Sequence, residues 1–182
     1  MIAGTVKGFP IKMPKGTPTR PATELVRGAI FSVLTSSVED WSRVLDLFSG
    51  SGSLGIEALS RGAGSVDFVD QESRCCDIIK ENLAKTGFSA QARVHCTTVN
   101  RAINSLNDEF NIVLMDPPYK DTGIGTIIEQ LAASKAVGIR TTVVITHASR
   151  FKFQPQYGAL VMKREIRHGD STIAIFRKEL LT

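Results

Sequence analysis

The chain has 182 residues, 42% of them apolar, with a formal net charge of +4 and a mean hydropathy near zero. That length sustains one domain with a full core, and the absence of any run of about 18 apolar residues argues against a membrane-spanning helix. The segment Met1 to Gly8 lacks the apolar centre of a secretory signal, and Cys75, Cys76 and Cys96 share no metal-ligand spacing, so the expectation is a cytoplasmic protein with reduced, packing cysteines and no metal.

In chain order, residues 1–18 carry Gly4, Gly8, Pro10, Pro14, Gly16 and Pro18 around β-like runs at 2–7 and 10–13. This predicts a basic N-terminal arm or β-hairpin, ahead of a single domain over 19–182. Thr23 can cap a helix running to Leu34, with Val26, Ile30, Val33 and Leu34 on its apolar face. Strands then alternate with helices: strand 43–48, helix 53–61, strand 66–70, helix 73–86, strand 92–97, a short helix over 99–106, strand 111–115, helix 123–134 and strand 141–146. Such alternation implies a parallel sheet with helices on both faces. The ending differs, because β-like runs at 159–166 and 171–177 are joined by the turn residues Arg167-His168-Gly169-Asp170. The predicted fold is therefore Rossmann-like α/β, with a mostly parallel seven-stranded sheet that closes in an antiparallel hairpin. A dinucleotide fold would continue with a helical crossover instead.

Two motifs carry the chemistry. Gly50, Gly52 and Gly55 form a G-x-G-x-x-G pattern between the first strand and its helix, and Asp70 lies 20 residues past Gly50 at the end of the second strand. Spacing alone fits a dinucleotide site. Asp46 tips the balance, because a carboxylate inside a buried strand is costly without a partner. A dinucleotide needs no charge there, whereas S-adenosylmethionine brings an ammonium group and has no pyrophosphate. Asp46 then takes the amino-acid end of the co-substrate and Asp70 its ribose. The second motif, Asp116-Pro117-Pro118-Tyr119, follows the apolar run Asn111 to Met115. Ligands bind open α/β sheets at such carboxyl ends. Two prolines stiffen the loop and remove two backbone donors. Asp116 and the Pro117 carbonyl can each accept from a planar amino group while Tyr119 stacks on its ring, with Pro118 on the substrate side.

Charge is segregated. Residues 1–35 hold five basic side chains, among them Lys7, Lys12 and Arg20, against one acid, and residues 150–178 hold seven against two. The remainder has ten basic against fifteen acidic. Basic ends around an acidic centre suit a polyanion gripped at the rim of a site that binds a cationic co-substrate. Lys7, Lys12 and Arg20 are the candidate substrate contacts.

With both motifs in place, the chain resembles the class I S-adenosylmethionine-dependent methyltransferases that act on amino groups. More closely, it resembles the bacterial family that methylates guanine N2 in small-subunit (16S) ribosomal RNA. The match takes in Ile2-Ala3-Gly4 with Gly8, then Thr19-Arg20-Pro21 with Thr23, Arg27 and Phe31. It continues through Asp46 to Ala63 (including Phe48), Asp116 to Tyr119, and His168-Gly169-Asp170. The resemblance implies that Thr23 and Arg27 lie beside the co-substrate or target, and that Phe48 belongs to the co-substrate loop. It also implies 16S rRNA, free or within the small subunit or its precursor, as the partner of a monomeric enzyme. Three positions depart from the family pattern. Gly28 stands where Glu is usual and Ser32 where Asn is usual; Thr98, with Val99, occupies the region where an acid or amide contacts adenine, with backbone contacts or Asn100 as substitutes.

Other functions that these residues could serve are adenine-N6 methylation in DNA, which uses the same tetrapeptide, and non-catalytic RNA or nucleotide binding. The first generally needs a separate base-recognition domain, and the second would not need a complete amine-methylating loop. Glu57 is expected to face either the site or a basic neighbour. His95, His147 and His168 are expected to be structural, Trp41 to pack against the first strand, and Tyr157 to anchor a loop.

Overall fold

The computed structural model describes residues 1–14, 24–118 and 123–179. Its elements are α1 Glu24–Ser37, β1 Arg43–Leu47, α2 Ser53–Ser60, β2 Ser65–Asp70, α3 Ser73–Thr86, β3 Ala92–Cys96 and α4 Val99–Ser105. They continue with β4 Phe110–Met115, α5 Ile124–Ala133, β5 Val137–Ala148, β6 Gln156–Tyr157, β7 Leu160–His168 and β8 Ser171–Lys178. The strand order is β3-β2-β1-β4-β5-β8-β7-β6. The first five strands are mutually parallel, while β8 inserts antiparallel between β5 and β7.

The central strands are near-continuous apolar runs because both faces of the sheet are covered. One cluster joins Val44, Val66, Phe68, Ile112 and Leu114 to α1, α2 and α3. The other joins Leu45, Leu47, Val69, Val113 and Met115 to α4 and α5. The period-two alternation of strand side chains thus sends each strand's residues into two cores. All twelve predicted helices and strands from the first helix onward form within about four residues of the expected bounds.

The structure corrects three expectations. The sheet has eight strands rather than seven, because Gln156 and Tyr157 add a two-residue edge on β7. Helix α1 buries Val26, Ile30, Phe31 and Leu34, so Phe31 joins the inward face, with Val33 partly buried against the same core. Trp41 stacks on Phe31 at 6.1 Å and the Arg61 guanidinium lies 4.8 Å from the same ring. Finally, residues 1–14 form no hairpin. Gly4 and Gly8 adopt positive φ and bend the chain, and the backbone bonds are divided between the segment's own turns (Gly8 N to Met1 O at 2.9 Å, Met1 N to Phe9 O at 2.6 Å) and helix α2. Ile2 N and Ala3 N donate to the Glu57 carboxylate at 2.8 and 3.0 Å, and Thr5 N donates to Ser60 O at 2.8 Å. Gly4 sits so close that an added Cβ would lie 1.8 Å from Ser60 O.

Candidate active site

The co-substrate half of the site is built from one short stretch of chain. β1 ends at Leu47, and Phe48 turns the backbone with φ of +58°, alone among the described non-glycine residues. Such strain persists where surrounding structure over-determines it. Ser49 supplies that restraint. Its backbone N–H donates to Val69 O at 3.0 Å, and its hydroxyl, which donates to Asp46 O at 2.6 Å, accepts from Val69 N at 3.0 Å. Gly50 and Gly52 follow with φ of +55° and +77°, conformations that an L side chain rarely adopts. Gly55 serves a different purpose. A Cβ there would lie 2.3 Å from Phe68 Cε1, so the glycine lets α2 press against β2.

Asp46 is buried, and its Oδ2 accepts from Gly55 N at 2.9 Å. Burial, with the nearby Asp116 and Asp70 charges adding to it, pushes its carboxyl up to about 8; the Gly55 hydrogen bond acts the other way. Asp70, at the end of β2, takes Gly50 N on Oδ2 at 2.8 Å and Glu72 N on Oδ1 at 2.9 Å. The sheet therefore brings Asp70, ending β2, and Asp116, following β4, within electrostatic reach of Asp46 on β1. A buried carboxylate so placed is satisfied by a cation better than by a neutral ligand. This donor set fits the ammonium-bearing end of S-adenosylmethionine.

The target half is assembled from distant segments. Asp116 and Pro117 follow β4 directly, where Leu114 is in register with Asp46 of β1 and with Val144 of β5. Thr146, near the end of β5, donates its hydroxyl to Asp116 Oδ1 and so fixes the carboxylate plane. Pro117 is buried and Pro118 exposed. Beside them lies a small cleft also lined by Ile124, His147, Ala148, Phe151 and Phe153. Nothing in the sequence marks Thr146, since a threonine inside a β-branched strand carries no local sign of a role 30 residues away.

The other predicted residues divide. Thr98 caps α4, accepting from Arg101 N at 3.4 Å, and is exposed at the carboxyl end of β3. Arg27 is mostly buried, with Glu24 at 3.8 Å. Lys7 is exposed. Lys12, expected on the substrate, is paired with Glu81 of α3 at 2.6 Å, while its backbone N–H and C=O are both bonded to Asn82. Asn82 also donates to Ser51 O at 3.0 Å, tying the N-terminal segment to the glycine loop. Glu57 faces the N-terminal segment and Arg61 rather than the site. Thr23, Arg20 and Tyr119 lie outside the described residues. Among the described residues there is no cluster of three or more metal-ligating side chains, and no helix is long and apolar enough to cross a membrane.

A parallel sheet closed by an antiparallel hairpin, with an acid on β1, an acid ending β2 and Asp-Pro-Pro following β4, defines a Rossmann-like methyltransferase. Within that class the chain belongs to the family described as "Conserved hypothetical protein 95", whose model matches residues 1–177. It is 33% identical over 181 residues to "Putative rRNA methyltransferase YlbH" of Bacillus subtilis (strain 168), covering 98% of each chain. It is 32% identical over 120 residues to "Ribosomal RNA small subunit methyltransferase D" of Escherichia coli (strain K12), covering 66% of this chain and 60% of that protein. The solved structure of Escherichia coli yhhF superposes with a TM-score of 0.86 over 98% of this chain and 97% of that one, at 24% identity. The expected resemblance to ribosomal RNA small-subunit methyltransferases is thereby borne out.

Proposed function

We propose that this protein transfers the methyl group of S-adenosylmethionine to the exocyclic N2 of a guanine in 16S ribosomal RNA, acting in the cytoplasm as a monomer on the small subunit or its precursor. The observation that carries the reading is the Asp116-Pro117-Pro118 loop held by Thr146 beside the buried Asp46. In this reading Asp46 holds the ammonium group and Asp70 the ribose, while Gly50, Gly52, Phe48 and Thr98 shape the rest of the co-substrate site. The co-substrate, when bound, supplies an electrophilic methyl group.

The chain's own part is positioning and electrostatics. The guanine amino nitrogen is a poor nucleophile because its lone pair is delocalised into the ring. Asp116 accepts one of its N–H groups and the Pro117 carbonyl the other, which draws the nitrogen towards a pyramidal state and aims the lone pair. Asp116 also stabilises the positive charge that builds on nitrogen as the bond to carbon forms. The methylated, cationic amine then loses its proton readily, so no strong base is required beforehand. Tyr119 stacks on the extruded base for about 1–3 kcal/mol, with Pro118 against it. Thr23 and Arg27 contribute to co-substrate binding, and Lys7 and Arg20 meet RNA.

The test is label transfer from methyl-labelled S-adenosylmethionine to unmodified small subunits, naked small-subunit rRNA and duplex DNA, followed by nucleoside analysis. N2-methylguanosine in a ribosomal sample is the expected product. Methyladenine in DNA, or no transfer to any of the three, would overturn the proposal.

A further inference from the structure

The sequence places basic residues at both ends of the chain, but the fold treats the two groups differently. At the N-terminal end, Lys12 is engaged by Glu81 and its backbone by the buried Asn82, both on α3. At the other end, the segment leaving β5 reads Ser149-Arg150-Phe151-Lys152-Phe153 and runs beside Pro117 and Pro118. Its side chains sort by position. Phe153 is buried against Tyr157 and Phe176, and Phe151 meets it edge-on at 5.0 Å. His147 supports both rings, at 4.5 Å from Phe153 and 6.1 Å from Phe151. Phe151 nevertheless keeps 37% of its surface exposed, at the rim of the cleft. Arg150 and Lys152 on either side of it are exposed.

Ser149 fixes where this segment lies. Its N–H donates to Asp170 O at 2.9 Å and its hydroxyl to Gly169 O at 3.0 Å, while Thr172 Oγ1 donates to Ser149 Oγ at 3.1 Å. Those bonds join the segment to the β7–β8 turn, where Gly169 has φ of +60° and Arg167 is exposed. The carboxyl edge of the sheet next to Asp116 thus carries a partly exposed aromatic ring with rigid support, an exposed cation on each side of it in sequence, and on the joined turn the exposed Arg167, whose Nε donates to Gly169 O at 3.1 Å.

We infer that this edge is the main RNA grip: Arg150, Lys152 and Arg167 hold phosphates of a single strand, and Phe151 stacks on an unpaired base of that strand beside the methylated nucleotide. A groove that tracks backbone with cations and receives bases on aromatic faces is how single strands are held without sequence readout. Charge complementarity selects the occupant, because an apolar rim ringed by cations suits a polyanion with π-faces and not a neutral protein surface. The inference rests on ribosomal RNA being the substrate.

The experiment measures binding directly, so that it does not depend on catalysis. Affinity of the full chain for labelled, in-vitro transcribed small-subunit rRNA is followed by fluorescence anisotropy from 50 to 300 mM salt. In parallel, S-adenosylmethionine affinity and methyl transfer are recorded. Arg150→Ala, Lys152→Ala and Arg167→Ala are each expected to lower the slope of log affinity against log salt by about 0.7, the value of one phosphate contact on a single strand. Phe151→Leu keeps the packing on Phe153 and is expected to weaken RNA binding roughly 5- to 150-fold, while Phe151→Trp restores it. Co-substrate affinity should not move in any of them. Lys80→Ala, exposed on α3 and outside both the site and this edge, serves as the comparison and is expected to leave the slope unchanged. Unchanged slopes in the three cation variants would overturn the grip even if the wild type methylates rRNA. Wild-type protein that binds rRNA through these residues yet transfers nothing would sink the proposed reaction and leave the grip intact.

Discussion

The two halves of the site are made in different ways. The co-substrate half is local in sequence: Asp46, Phe48, Gly50, Gly52 and Gly55 span ten residues, and Asp70 closes on Gly50 N across 20. The target half draws on Asp116 at the end of β4, Thr146 near the end of β5, the segment 149–153, and a turn at 168–170. A site built from one loop is set by backbone conformation, whereas one built from several segments is set by sheet register. It follows that substitutions in the first half should act on co-substrate affinity and those in the second on transfer and RNA affinity.

The largest test of that division is Asp116→Ala. Losing the acceptor that faces developing charge should reduce transfer by about 100- to 1,000-fold, while isothermal titration shows unchanged S-adenosylmethionine affinity. Equal loss of both would merge the two halves. Next comes pH. The ligand-free fold keeps a proton on Asp46 up to about 8, against 3.8 ordinarily, and a cationic co-substrate needs that group ionised. Affinity should therefore rise by close to tenfold per unit as pH climbs towards 8 and level off above it, with proton release on binding at pH 7. The same shift has the opposite sign for ligand-free stability. The folded chain holds a proton that the unfolded chain gives up, so stability should fall as pH rises from about 4 to about 8. Asp46→Asn should flatten both dependences in calorimetry.

Asp70→Ala should weaken co-substrate binding roughly 10- to 100-fold, the range for hydrogen bonds to a charged group. Transfer at saturating co-substrate should largely survive. Thr146→Val should lower kcat by about tenfold, as loss of one charge-assisted hydrogen bond predicts. It should leave co-substrate affinity alone and add nothing to Asp116→Ala. Smallest is Gly4→Ala, in the N-terminal segment outside both halves. Its Cβ would collide with Ser60 O at a positive φ, so thermal unfolding should show about 1–3 kcal/mol lost. Little change in kinetics is expected, and a large fall in co-substrate affinity would instead tie the N-terminal segment into the first half through Asn82 and Ser51.

By itself the sequence determined the alternation of strands and helices, the closing hairpin, the glycine loop and the three acids. Each depends on short-range rules: apolar runs, turn residues and glycine at positive φ are read within a dozen residues. Only the tertiary structure decided the rest. It turned the N-terminal β-like runs into a turn pinned by Glu57, whose buried carboxylate accepts from Ile2 and Ala3 N–H where a second strand would have. Phe31 was drawn inward by Trp41 and Arg61, Lys12 was given to Glu81, and Thr146 was brought onto Asp116. The same assembly set Phe151 beside Pro118. These are contacts between residues tens of positions apart, and sheet order and register, which no local pattern encodes, select them.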